Sequence, residues 1–141
     1  MKLRDLSLTN YRNCKDLVLD LRSSKVLIIG KNAQGKTNIL ESIYILSTLK
    51  SPRTSNNIEL INFNANKAEI NCNLLKNNTD IELDFTYSNE KKRELAINKV
   101  KTTPKNFKSV LKTVLFSTTD LLPLRQTRLA RQSDFSNLSS V

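Results

Sequence analysis

No histidine occurs in the 141 residues, which removes histidine triads, histidine metal sites and histidine general bases. Cysteine is scarce. Cys14 and Cys72 stand far apart with no histidine to complete a zinc set, so both read as reduced, buried thiols. No unbroken apolar stretch exceeds four residues, as at 26–29, far too short for a membrane-spanning helix. Lys2 and Arg4 sit in an alternating pattern, not before the apolar block of a signal peptide, so the expected location is the cytoplasm. Acids are the minority charge: 13 carboxylates face 23 Lys and Arg, for a net +10. That balance excludes an acidic solvating protein and favours a polyanionic partner such as nucleic acid or nucleotide. Glycine is nearly absent, and the only two, Gly30 and Gly35, lie five residues apart.

What is present suffices for a core. Hydrophobic residues make up 38% and charged residues 26%, which fits one domain or a piece of a larger one. Residues 2–9 and 17–21 alternate as strands, joined by a turn at Asn10, Tyr11, Arg12 and Asn13. Residues 26–29 are apolar on both faces, as in a central strand of an α/β sheet. Residues 37–49 repeat Ile39, Leu40, Ile43, Leu46 and Leu49 at helical spacing, with Glu41 placed to favour the helix dipole and Pro52 to stop the helix. A short helix is expected around residues 58–63. Residues 68–74 and 81–87 read as half-buried antiparallel strands joined by Lys76-Asn77-Asn78-Thr79. A shorter pair at 95–97 and 100 turns on Asn98 and Lys99, where Lys is a poor choice. Pro104 opens a helix to about Lys112, and residues 113–116 read as a last strand. The end, rich in Arg, Gln, Ser and Asn, has no clear period and is expected to be poorly ordered.

Both glycines fall within Gly30-Lys31-Asn32-Ala33-Gln34-Gly35-Lys36-Thr37, a G-x-x-x-x-G-K-[ST] loop. From this composition such a match arises by chance about 5 times in 10,000, so the spacing is specific. Its context fits too, with an apolar strand before and an amphipathic helix after. Glycine lets successive backbone N–H groups wrap a phosphate, and the helix N-terminus adds its positive end. Lys36 would reach the β- and γ-phosphates, and the Thr37 hydroxyl would ligate Mg²⁺. The loop indicates phosphate binding without naming a reaction. Hydrolysis needs an acid at the end of another strand. Glu69, Asp80, Glu82 and Asp84 read as solvent-facing, and Asp120 sits four residues past an apolar run, so no convincing catalytic acid is expected.

The opening Leu3-x-x-Leu6-x-Leu8-x-Asn10-Tyr11-Arg12-Asn13 and the run from Gly30 to Tyr44 resemble the RecF family, related to SMC proteins within the ABC-type ATPases. Ser51-Pro52-Arg53-Thr54-Ser55-Asn56, Leu95-x-Ile97-Asn98 and Val114-Leu115-Phe116-Ser117-x-x-Asp120-Leu121 extend the match to about residue 122. The resemblance implies an α/β P-loop NTPase head, incomplete here, with an antiparallel β subdomain over 1–122 and a divergent tail over 123–141. It implies ATP and Mg²⁺ as cofactors, with Arg12 and Asn13 near the nucleotide. It implies a role in DNA replication, repair and the SOS response: DNA binding at gaps and single-strand/double-strand junctions, a homodimer if the head is complete, and recombination-mediator proteins as partners. The family's usual His and Gly are replaced by Pro52 and Lys99, and no Gln stands near 115–117. The family's Arg pair after residue 122 is missing, so the tail reads as an altered end and the chain as truncated and hydrolysis-deficient.

Residues 91–112 hold Lys91, Lys92, Arg93, Lys99, Lys101, Lys105, Lys108 and Lys112 against Glu94 alone. Such a cluster suits non-specific, salt-dependent contact with phosphate backbones, and Lys105, Lys108 and Lys112 are the candidate DNA contacts. With only Phe107 nearby, a base-stacking platform is not expected there. Two alternatives remain open on sequence. One is a small P-loop kinase or phosphotransferase, with Arg125, Arg128 and Arg131 as a lid. The other is a basic nucleic-acid module with a degenerate loop.

Overall fold

Alternation at period two builds most of the protein. A computed structural model describes residues 1–31, 35–90 and 92–116. It contains one sheet of six strands: β1 (Lys2–Tyr11), β2 (Cys14–Asp20), β3 (Lys67–Lys76), β4 (Thr79–Ser88), β5 (Arg93–Ile97) and β6 (Val100–Lys101). The order is β2-β1-β3-β4-β5-β6 and every described pairing is antiparallel. The register aligns Leu19, Leu6, Cys72, Leu83 and Ile97 across five strands, with Leu17, Leu8, Ile70, Phe85 and Leu95 one row over. Cross-strand rows of this kind are what stabilise a sheet, and a one-residue slip would turn them into water.

Helices α1 (Lys36–Thr48) and α2 (Pro104–Val110) pack together and supply Ile39, Ile45, Leu46, Phe107 and Val110 to the same core, joined by Leu111 just after α2. The other face of the sheet is open and polar. Eight of the 13 acids stand on it by register: Asp5, Asp16, Asp20, Glu69, Asp80, Glu82, Asp84 and Glu94. The solvent-facing reading of the strand acids therefore holds.

Turn chemistry matches the expected hairpins. Asn77 and Asn78 take φ of 50° and 59°, and Asn98 and Lys99 take 51° and 66°, the left-handed pair that a tight two-residue turn requires. Lys99 is tolerated there because its ammonium reaches Glu82 and Asp84. Thr103 caps α2, its hydroxyl accepting from the Asn106 N–H at 3.4 Å, and Pro104 occupies the first turn. Lys76 donates to the carbonyls of Ser109 and Val110 at 3.1 and 3.0 Å, placing a cation at the negative end of α2.

Several expectations need correction. Residues 26–29 lie outside the sheet, with Leu27 and Ile29 each 82% exposed. An all-apolar strand needs neighbours on both edges and cover on both faces, and no described strand pairs with this one. Residues 113–116 are likewise unpaired, and Val114 and Phe116 are exposed. Helix α1 ends at Thr48, before Pro52, because Leu49 adopts φ 59° and donates its N–H to the Ile45 carbonyl at 2.7 Å. Leu40 is exposed, not part of the apolar stripe, while Ile45 is buried. The short helix is a 3-10 turn over Asn57–Leu60. The tail from 123 to 141, Asp120, Lys91, and loop residues Asn32, Ala33 and Gln34 lie outside the described residues.

Candidate functional site

Gly35 carries φ 91° and ends the loop just before α1 begins. A Cβ there would stand 3.4 Å from the Cys14 sulfur and 3.6 Å from the Asn13 side-chain oxygen, so the loop end sits tight against the β1–β2 turn. Lys36 and Thr37 open the helix, and the Thr37 hydroxyl is exposed. The Lys36 ammonium folds back onto the loop, donating to the Gly30 carbonyl and, at 3.0 Å, to the Lys31 carbonyl.

Around this loop end lies a cleft of about 760 Å³. Its walls include Lys36 and Thr37 from α1, Arg12, Asn13 and Lys15 from the β1–β2 region, and Arg53 from the segment after α1. The 3-10 turn and its continuation add Glu59, Ile61, Asn62, Phe63 and Asn64. The tight turn between β1 and β2, with Arg12 at φ 52°, brings Arg12 and Asn13 to the loop. Asn38 then ties helix to turn, donating to the Asn13 oxygen at 2.5 Å and accepting from Arg53 at 2.8 Å.

Glu41 organises the two arginines. It lies beyond the first turn of α1 and is 1% exposed, so the helix-dipole role gives way to something stronger. Arg12 grips it in a two-pronged pair at 2.9 and 2.6 Å, Arg53 adds a contact at 3.3 Å, and Ser51 donates at 2.5 Å. Arg12 also donates to the Glu59 carbonyl at 3.2 Å, and Asn62 donates to the Arg12 carbonyl at 2.7 Å. Burial pushes the Glu41 carboxyl up, but hydrogen bonds from Arg12 and Ser51 outweigh it and hold the group below its ordinary range. The same bond to Glu41 raises Arg12. Tyr11, wholly buried nearby, is driven far above the usual tyrosine range by burial first and the Glu41 charge second.

Structure therefore gathers Gly30, Lys31, Gly35, Lys36, Thr37, Arg12 and Asn13 in one region. It adds Arg53 and Asn38, whose side chains sequence reasoning gave no role, and Glu41, which by sequence reads as a helix-dipole acid. No local sequence signal marks them: Arg12 and Glu41 are 29 residues apart and Asn13 and Asn38 are 25 apart. Lys105, Lys108 and Lys112 are exposed on and just beyond α2, away from Phe107 and Val110. Of the other cluster members, Lys92 pairs with Glu90, Lys99 with Glu82 and Lys101 with Glu94. Cys72 is buried as expected and pushed up to about 12 by burial; Cys14 is only partly buried, contrary to expectation, and is also raised by burial, so both thiols stay protonated.

A glycine-ended loop feeding Lys-Thr into a helix, packed against an antiparallel sheet, defines an α/β P-loop NTPase head of the ABC/SMC type. The AAA ATPase domain model matches residues 1–131, and the chain belongs to that family. Within it the chain is RecF-like. It is 36% identical over 133 residues to the DNA replication and repair protein RecF of Clostridium kluyveri, covering 94% of this chain and 36% of that one. The solved recombination mediator protein RecF-ATPrS of the RecFOR pathway superposes with a TM-score of 0.78 at 29% identity, covering 84% of this chain and 33% of that one. An SMC ATPase structure from work on ATP-driven dimerisation and DNA-stimulated activation gives 0.80 at 16% identity, covering 98% and 99%, a likeness of fold. The chain matches between 19% and 36% of the length of the curated relatives.

Proposed function

We propose that this chain binds ATP with Mg²⁺ in the cleft at the start of α1, as part of a RecF-type protein of DNA replication and repair. The observation that carries this reading is the convergence of Gly35, Lys36 and Thr37 with Arg12, Asn13 and Arg53 on one open cleft. Its volume, about 760 Å³, falls within the range of nucleotide-sized pockets. The residues fit the ligand. Main-chain N–H groups at the helix start and the Lys36 ammonium would hold phosphate oxygens, with Gly30, Lys31, Asn32, Ala33 and Gln34 completing the loop. The Thr37 hydroxyl would be a ligand of the magnesium ion, which offsets phosphate charge when bound. Arg12 is held by Glu41, so its part is to shape the cleft wall and present positive potential.

The strand acids Glu69, Asp80, Glu82 and Asp84 stand on the open face of the sheet, across it from α1. This arrangement supports binding without turnover by the described residues. For DNA, we assign Lys105, Lys108 and Lys112 to the backbone of gapped or junction DNA, since these ammonium groups are exposed on a face separate from the acidic one. Dimerisation, work with recombination mediators in the SOS response, a cytoplasmic location and a division at residue 122 into head and tail belong to the same reading. No helix among the described residues is long and apolar enough to cross a membrane.

Calorimetric titration tests the central claim. ATP with Mg²⁺ should bind the parent chain and lose at least tenfold in affinity with Lys36→Ala. Equal affinity in both would reject the phosphate reading.

A further inference from the structure

Phe63 is 98% exposed, yet it lines the same cleft as Lys36 and Thr37. The other cleft residues are polar or charged apart from Ile61 and Gly35. A lone exposed phenylalanine needs no explanation on an ordinary surface, but this one is delivered by a fixed backbone. The Asn62 N–H donates to the Asn10 carbonyl at 2.8 Å, the Asn62 side chain donates to the Arg12 carbonyl at 2.7 Å, and the Ala65 N–H closes a turn onto the Asn62 carbonyl at 2.9 Å. Ile61 forms a bridge with Tyr11 just before it. Phe63 thus stands at the tip of a turn bolted to the β1–β2 region, with its ring in water.

We propose that Phe63 is the stacking platform for the base of a nucleoside triphosphate whose phosphates lie at Lys36 and Thr37. This rests on the phosphate reading of the cleft and extends it to the base. A flat π face receives a base without reading its edges, so purines, with the larger face, are favoured over pyrimidines. The neighbouring Asn64 supplies an amide to the base edge.

Phe63 makes no contribution to the core, so replacing it leaves the fold intact, checked by an unchanged thermal midpoint. ATP affinity should fall about tenfold in Phe63→Ala, while inorganic tripolyphosphate binds parent and variant alike. The chain has no tryptophan, so Phe63→Trp creates a single reporter. Its fluorescence should be quenched by ATP and GTP, less by CTP and UTP, and not by tripolyphosphate. Unchanged ATP affinity in Phe63→Ala, or equal quenching by tripolyphosphate, overturns the base platform while leaving the phosphate site standing. If the parent binds neither ATP nor tripolyphosphate, the phosphate reading fails and the platform falls with it.

Discussion

Glu41 shows how much one residue decides. Removing Arg12 would leave this buried carboxylate with only Ser51 and the half-exposed Arg53, so Arg12→Ala should cost about 3 kcal/mol in urea unfolding. The pH dependence follows from the lowered carboxyl. Its folded value lies below the ordinary 4.5, so its contribution to stability is complete above that value and disappears as pH falls through and below it. Unfolding followed from pH 7 down to 3 should show this loss, and Glu41→Gln should flatten that part of the profile. Gly35 decides in a different way. An alanine there would be held at φ 91° with its methyl 3.4 Å from the Cys14 sulfur, costing about 1–2 kcal/mol by strain alone. ATP affinity should drop with it, measured beside the unfolding curve.

At the scale of elements, α2 is too short to hold itself together. It persists through Thr103, Pro104, the Lys76 contacts and Phe107 sunk fully into the core. Thr103→Ala should therefore cost about 0.5–1 kcal/mol, whereas Phe107→Ala should cost about 3–5 kcal/mol, both read from denaturant midpoints. The antiparallel strands and both tight hairpins were legible in the sequence because a half-buried strand writes its own alternation and Asn marks positive φ. The loop and helix α1 were legible because glycine spacing and the 3.6 period are local signals. Residues 26–29 and 113–116 misled for a physical reason: strand propensity describes one chain segment, but a strand exists only beside a hydrogen-bonded neighbour. The Glu41 network was hidden because it joins residues far apart in sequence, and an acid on a helix looks the same whether it faces water or a guanidinium.

For the whole molecule, charge is divided by the sheet. The acidic open face repels a phosphate backbone, while Lys105, Lys108 and Lys112 lie with the helices. Replacing all three by Gln should weaken DNA binding across sequences and reduce the slope of log affinity against log salt by about 0.7–0.9 for each ammonium–phosphate pair removed. A slope unchanged by the triple replacement would remove this patch from the account. The apolar segment at 26–29 has a thermodynamic consequence. One end of the phosphate loop is anchored by α1, but the other follows a stretch that pairs with no described strand and touches the core only at Ile28. If a triphosphate gripping Gly30 and Gly35 together orders that stretch further, part of the intrinsic affinity goes into the ordering and the observed constant is weaker by the fraction of molecules already arranged to receive it. Calorimetry should find a favourable enthalpy opposed by entropy, and any change that tethers residues 26–29 should tighten ATP without touching it.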